Sequence, residues 1–191
     1  MKTRIIFLML FSISLSCCNN SRETEVINFV EAKFVLPFPV GTEYTCFQGF
    51  NTSYSHYGTF SYSVDFDMPI GTLVTAAGKG RVVYVVQNFP NGDLTAGHEN
   101  VIIVMHDDTT YSRYSHLTTN GALVKINQLL MPGDSVGLSG NSGDSNHPHL
   151  HFDVTKTFTG RSDQTIPFDF KNTTPHPPGM QAGAVYKALP Y

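Results

Sequence analysis

Between Tyr62 and Val154 no stretch of this chain carries the apolar spacing of a surface helix, and turn residues recur at intervals too short to house one. What remains is a series of short runs rich in β-branched and aromatic residues. Tyr62-Ser63-Val64-Asp65-Phe66-Asp67-Met68 stops at Pro69, and Leu73-Val74-Thr75-Ala76-Ala77 stops at Gly78-Lys79-Gly80. Arg81 to Val86 and Val101 to His106 follow, and an Asp107-Asp108 turn leads into Thr110 to Leu117. After a loop come Val124-Lys125-Ile126, a turn at Pro132-Gly133-Asp134, and Ser135-Val136-Gly137-Leu138. A glycine-rich turn, Ser139 to Asp144, precedes the last run, which ends at Val154. Runs this short and close predict an all-β domain, an antiparallel sandwich or rolled sheet. Composition agrees: 14 Phe and 9 Tyr suit strands, and 16 Gly with 11 Pro suit turns.

The flanks read differently. Lys2 and Arg4 precede an apolar centre, Ile5 to Phe11, too short to span a bilayer, so residues 1–17 read as a signal peptide. Its end, Ser14-Leu15-Ser16-Cys17-Cys18, resembles a bacterial lipobox. With Cys18 as the lipidated residue, Leu15 stands in place but Cys17 replaces the usual small residue. With Cys17, Ser16 fits but Ser14 stands where leucine is usual. Lipid chains on either cysteine would tether the protein to a membrane surface without inserting it; an ordinary secretory signal would leave it periplasmic or secreted. Both readings place the chain in the cell envelope or outside the cell. Residues 18–33 read as a polar linker and 34–154 as the domain core. Residues 155–191 read as a C-terminal arm packing on the domain, with Ile166-Pro167-Phe168-Asp169-Phe170 as a candidate edge strand. Cys46 is the one cysteine beyond Cys18, which excludes an internal disulfide framework and suits a buried apolar position. A net charge of −3 with no basic cluster argues against nucleic-acid binding.

The chemistry concentrates in His147-Pro148-His149-Leu150-His151-Phe152. On a strand, residues two apart share a face, so His149 and His151 project side by side from a rigid backbone. One imidazole of such a pair can bind a metal while its neighbour handles protons. His147 alternates with them, but Pro148 breaks regular pairing, which leaves His147 on the rim. Zinc takes His, Asp, Glu and Cys and, in catalytic sites, keeps a position open for water. The residues able to complete such a site are His56 in a Gly/Ser/Thr-rich loop, Asp65 in the following strand and His116 at a strand end. Asp67 shares the face of Asp65 and competes with it, or caps the next turn. His98, His106 and His176 read as surface histidines. Tyr57, Tyr62 and Tyr114 read as core residues, with lining of a groove as the alternative.

Three blocks, in order, resemble the lysostaphin/LytM-type zinc metallopeptidases, which cut peptide cross-links in bacterial cell walls. The first holds Ser55-His56, Val64-Asp65-Phe66, Met68-Pro69-Ile70-Gly71-Thr72, Ala76-Ala77 and Gly80-Arg81-Val82. The second is Tyr114-Ser115-His116-Leu117. The third holds Pro132-Gly133-Asp134, Gly137 to Gly143 and His149-Leu150-His151-Phe152. The resemblance implies a narrow groove with one zinc ion on His56, Asp65 and His151, with His116 and His149 flanking the open position as catalytic residues. It implies a peptidoglycan peptide as substrate. One departure stands out. The common form of the family places its first histidine four residues before the aspartate, where this chain has Ser61, whereas His56 precedes Asp65 by nine. The likeness of Ser55-His56 to members with a longer, serine-preceded spacing assigns His56; His98 and His106 are the alternatives in the core. Two other functions share this pattern: a wall-binding or hydrolase-activating module without catalysis, and a zinc peptidase acting on a non-wall protein.

Overall fold

The computed structural model describes residues 33–159, 163–174 and 179–191. The signal segment, Cys17, Cys18, nearly all of the linker and His176 lie outside the described residues. Eleven strands make up the described chain: β1 (Glu43–Gln48), β2 (Ser63–Asp67), β3 (Leu73–Thr75), β4 (Gly80–Val86), β5 (Val101–Met105), β6 (Tyr111–Ser115), β7 (Leu117–Ala122), β8 (Leu129–Leu130), β9 (Ser135–Ser139), β10 (His149–Thr155) and β11 (Ala184–Lys187). Among the described residues the helical content is a single 3-10 turn, Gly58–Phe60. Eight strands form an antiparallel sheet in the order β11-β1-β2-β10-β6-β5-β4-β8, and β3-β9-β7 form a second, smaller one. This is the all-β, antiparallel architecture that the short strands predict.

Alternation along the central strands sorts the side chains. On β10, Leu150, Phe152 and Val154 point into the core, each at most 1% exposed, while His149, His151 and Asp153 take the opposite face. On β2, Val64 and Phe66 join the core and Asp65 takes the other face; on β6, Tyr114 points inward and Arg113 and Ser115 outward. The small sheet covers the core side. Val74, Val136 and Leu117 enter the same apolar cluster, and the Tyr114 hydroxyl accepts the Ala77 N–H at 2.8 Å. Phe34, Phe38, Phe168 and Phe170 close the remaining side with edge-to-face ring contacts, and Leu36 packs in the same cluster. One sheet face is therefore largely apolar, and the opposite face is free to carry the charged groups.

Several elements differ from the pattern-based expectation. The loop expected after Leu117 is strand β7, and the expected strand at Val124-Lys125-Ile126 is the turn after it. Alternation predicts neither, because β7 leaves the large sheet and pairs with β9 in the small one. Ile166–Phe170 forms no strand; isolated bridges, Thr155 to Thr165 and Phe34 to Phe170, pin its ends, and Phe168 and Phe170 serve as core plugs. The C-terminal segment adds β11 to the sheet edge beside β1. His106 is buried rather than at the surface: Phe34 packs on its ring at 5.1 Å, and its nitrogens meet the Lys79 carbonyl at 2.8 Å and the Ser112 hydroxyl at 3.0 Å. Cys46 is fully buried, as expected, and burial and the nearby Asp65 push its thiol up to about 12.

One ion pair locks β6 to β10 on the polar face. Arg113 and Asp153 are cross-strand partners; Nε donates to Oδ1 and Nη2 to Oδ2, both at 2.7 Å, with both side chains buried. Removing Asp153 takes the bidentate partner from a buried guanidinium and leaves it the lesser attraction of Asp163 and Glu99. Asp153→Ala is expected to lower the stability of the metal-free protein by about 3–5 kcal/mol in urea denaturation; a loss below about 1 kcal/mol would contradict this account.

Candidate metal centre

The register of the large sheet assembles the site. His151 lies opposite Asp65 of β2 on one side and Ser115 of β6 on the other, and all three share the polar face. The Asp65–His151 pair is thus fixed by backbone pairing, and Asp65 Oδ1 lies 2.8 Å from His151 Nδ1. His56 reaches the same point from the loop between β1 and the 3-10 turn. Its ring is fully buried, with Nε2 3.1 Å from Asp65 Oδ2. One ligand atom from each of His56, Asp65 and His151 lies within 4.8 Å of the other two. The site opens on a cleft of about 730 Å³, lined by His116, Phe60, Tyr84, Phe89 and Arg113 among others.

The hydrogen-bond inventory asks for a cation here. His56 Nδ1 faces the Gly49 carbonyl at 3.0 Å, so it carries the proton, and Nε2 is left with a lone pair. That lone pair faces a carboxylate oxygen, a second acceptor, and Nε2 has no hydrogen-bond partner although it is buried. Moving the proton to Nε2 would set Nδ1 against the Gly49 carbonyl instead. In either tautomer two acceptors confront each other, and only a second proton or a metal cation resolves the conflict. The donor set, two imidazoles and a carboxylate with an open side, fits a divalent transition metal such as zinc.

Electrostatics around the site are consistent with this. Burial alone would raise the Asp65 carboxyl, but the His151 imidazole beside it outweighs burial and holds it well below the usual carboxylate range. Burial alone would lower His151, yet Asp65 and Asp153 raise it to about 9. Without a metal, a proton on His151 bridges the two carboxylates. A cation at Nδ1 would displace that proton and leave Nε2–H on Asp153 at 3.0 Å, the carboxylate–histidine arrangement typical of metal ligands.

His116 and His149 stand beside this cluster with their rings 4.7 Å apart. His149 Nε2 is 3.8 Å from Asp65 Oδ1. Each ring gives its Nδ1 proton to a backbone carbonyl: His116 to Ser142 at 2.7 Å and His149 to His147 at 2.8 Å. Each therefore presents an unprotonated Nε2. His116 sits in the left-handed region at φ 60, where the chain passes from β6 in one sheet to β7 in the other. That conformation costs a non-glycine residue roughly 1–2 kcal/mol and is typical of functional positions. The Ser142 carbonyl that receives His116 is set by the turn at Gly143, whose φ of +76 an L side chain rarely adopts. Burial, then His149 and His151, lower the His116 imidazole to about 3; burial also lowers His149.

All five residues singled out in the sequence thus meet in one place. His147 does not join them; it lies at the rim, its ring 4.3 Å from Phe47 and its Nε2 3.1 Å from Asp67. Asp67, exposed, is engaged there rather than at the cluster. His98 is outside it, paired with Asp93 at 2.8 Å, and the buried His106 packs beneath Phe34. Tyr114 is core, and Tyr57 is exposed. Sequence reasoning missed Gln48, Ser142, Arg113 and Asp153 as partners of the site. For Asp153 a signal existed: it continues the His149, His151 alternation by one more step.

Residues 59–165, more than half of the chain, match Peptidase family M23, and the chain belongs to that family. His56 lies just ahead of the matched segment. Among relatives, the Peptidoglycan DD-endopeptidase ShyA of Vibrio cholerae is 42% identical over 90 residues, 47% of this chain and 19% of that protein. The Outer membrane antigenic lipoprotein B of Histophilus somni is 36% identical over 91 residues, 48% of this chain and 24% of that protein. The solved structure of the antimicrobial peptidase lysostaphin from Staphylococcus simulans aligns with a TM-score of 0.50 at 29% identity, covering 64% of this chain and 47% of the other. The chain therefore spans only about a fifth to a quarter of the length of these curated relatives.

The neutral state of His116 can be measured directly. Because its pKa is lowered, the neutral form persists on acidification. In the metal-free protein its Cε1–H resonance is expected to stay flat from pH 8 down to about 4, where an unperturbed histidine titrates near ~6.5. A midpoint between 6 and 7 would overturn the assignment.

Proposed function

We propose that the chain is a zinc-dependent endopeptidase that hydrolyses peptide cross-links of bacterial peptidoglycan, exported to the cell envelope and tethered there by lipid at Cys17 or Cys18. The observation that carries the reading is the buried, unpartnered His56 Nε2 facing Asp65 beside His151. Membership of a peptidase family and the peptidoglycan-cleaving relative support the reaction and the substrate. The lipoprotein relative supports the location.

His56, Asp65 and His151 would hold the ion. When bound, zinc supplies a Lewis acid and lowers the pKa of water to roughly 7. The protein's own residues do the rest. His116 lines the cleft and His149 stands beside it, each a neutral base fixed in its tautomer by a backbone carbonyl. A charge on His149 disfavours a proton on His116. One of the two takes a proton on its free Nε2 from the attacking water and passes it to the leaving amine; the other donates to the developing oxyanion only once it has itself gained a proton on Nε2. No side-chain nucleophile is needed; the buried, protonated Cys46 points into the core.

The full complement of five residues favours this over a non-catalytic wall-binding module. The test is digestion of purified peptidoglycan by the zinc-loaded protein, with products identified by mass spectrometry. Products from one bond type are expected, and they should vanish with a chelator. His149→Ala should keep stoichiometric zinc while turnover falls at least about 100-fold. His56→Ala and His151→Ala should lose the metal. Turnover that survives chelation, or a fully metallated and active His56→Ala protein, would overturn the proposal.

A further inference from the structure

Two of the three candidate ligands are placed by sheet register, but His56 is not. It sits in a loop, nine residues ahead of Asp65. Some other part of the protein has to hold it against the carboxylate.

The end of β1 does this. Cys46 pairs with Phe66, and Gln48 pairs with Asp65, so two steps along β1 match one step along β2. The extra residue is a β-bulge, and its effect is one of parity. Without it, Gln48 would follow Cys46 onto the core face. With it, Gln48 turns to the polar face and extends the row to four: Gln48, Asp65, His151 and Ser115, on β1, β2, β10 and β6.

From there the Gln48 side chain makes two kinds of bond. Its Nε2 donates to Asp65 Oδ2 at 2.7 Å and to Ser55 Oγ at 2.9 Å, and its Oε1 accepts the Ser55 N–H at 3.3 Å. Ser55 is the residue before His56. The next residue on the strand, Gly49, offers its carbonyl to His56 Nδ1 at 3.0 Å. Gly49 cannot drift or be replaced cheaply, because a Cβ there would lie 1.9 Å from the Met180 carbonyl oxygen. Consecutive residues thus aim two ligands, one through a side chain and one through a backbone carbonyl. An amide is needed at position 48: it must donate to a carboxylate and accept from a backbone N–H, which neither a carboxylate nor an apolar chain can do.

We propose that Gln48 is a positioning residue of the metal centre. Turned to the polar face by the β1 bulge, it fixes the coordinating orientation of Asp65 and docks the loop that brings His56 to the same ion. This rests on the metal-centre reading above.

The test is zinc affinity of the full-length chain, measured at fixed pH by competition with a chromophoric chelator, with the visible spectrum of the cobalt-substituted protein as second readout. Gln48→Met keeps the volume and removes both bonds; Gln48→Glu keeps the size but sets a second carboxylate against Asp65. Both are expected to bind zinc about 10–100-fold more weakly than the parent, with an altered cobalt spectrum. The second variant carries the weight, because an added negative charge acting by attraction alone would tighten binding. Tighter binding in Gln48→Glu, or parent-like affinity and spectrum in folded Gln48→Met, overturns the role. A purely structural role would lower the unfolding midpoint and leave both readouts unchanged. Should either Gln48 variant fail to fold, Ser55→Ala on the exposed loop decides: several-fold weaker binding supports the docking role, and unchanged affinity overturns it. If the parent protein itself binds no zinc, the metal-centre reading fails first, and it fails independently of Gln48.

Discussion

Electron-rich atoms from His56, Asp65 and His151 lie within 4.8 Å of one another in a place largely closed to water. Left alone, such a cluster is repulsive and poorly solvated, and it would spread apart. The surrounding structure is arranged to prevent that. On one side the Gln48 amide donates to Asp65; on the other, Asp153 takes the far nitrogen of His151 and is itself held by two bonds from Arg113. The charges alternate across the sheet: a neutral donor, an anion, a titratable imidazole, an anion, a guanidinium. Each group is stabilised by its neighbour, and the remaining imbalance sits between His56 and Asp65, where a cation fits.

The same face places the other two histidines, by a different device. His149 belongs to the strand that carries His151 and follows from alternation. His116 sits at the exit of β6, where the chain leaves the large sheet for the small one. That change of sheet bends the backbone into a left-handed conformation at His116 and sends the ring across the cleft towards His149 rather than along its own strand. The fold's topology and the site's geometry are here one feature. A His116 that continued in β geometry would pass its chain on within the large sheet, and β7 would have no place beside β9.

How much of this could be read in advance depends on the range of the interaction that decides it. Alternating His149 and His151, the β-branched runs and the glycine-rich turns are local, and they indicated the strands, the all-β class and the shared face of those residues. The position of β7 was not legible, because its partner in the small sheet, rather than its own propensity, makes it a strand. Nor was the burial of His106, which follows from Phe34 folding back from far away in sequence. Ile166–Phe170 looked like an edge strand because its apolar residues alternate, yet that alternation serves plugs in the core. Gln48 was invisible for a sharper reason. Its side of the sheet is set by a bulge, and a one-residue insertion reverses the parity on which pattern reading rests.

The nine-residue spacing of His56 and Asp65 can be weighed on the same terms. A metal centre constrains the triangle of ligand atoms and is indifferent to the length of chain between them. Lengthening the loop from four residues to nine adds an ordering cost of about 0.7 kcal/mol by loop-closure entropy. A net hydrogen bond contributes about 1 kcal/mol. The bonds from Gln48 to Ser55 and from His56 to Gly49 are therefore enough, between them, to offset the longer loop and to point its histidine. The extra residues also form the 3-10 turn that carries Phe60 to the wall of the cleft. On the proposed reading the longer spacing still brings the three candidate ligand atoms together, and the bulged end of β1, rather than local chain geometry, holds the first of them in place.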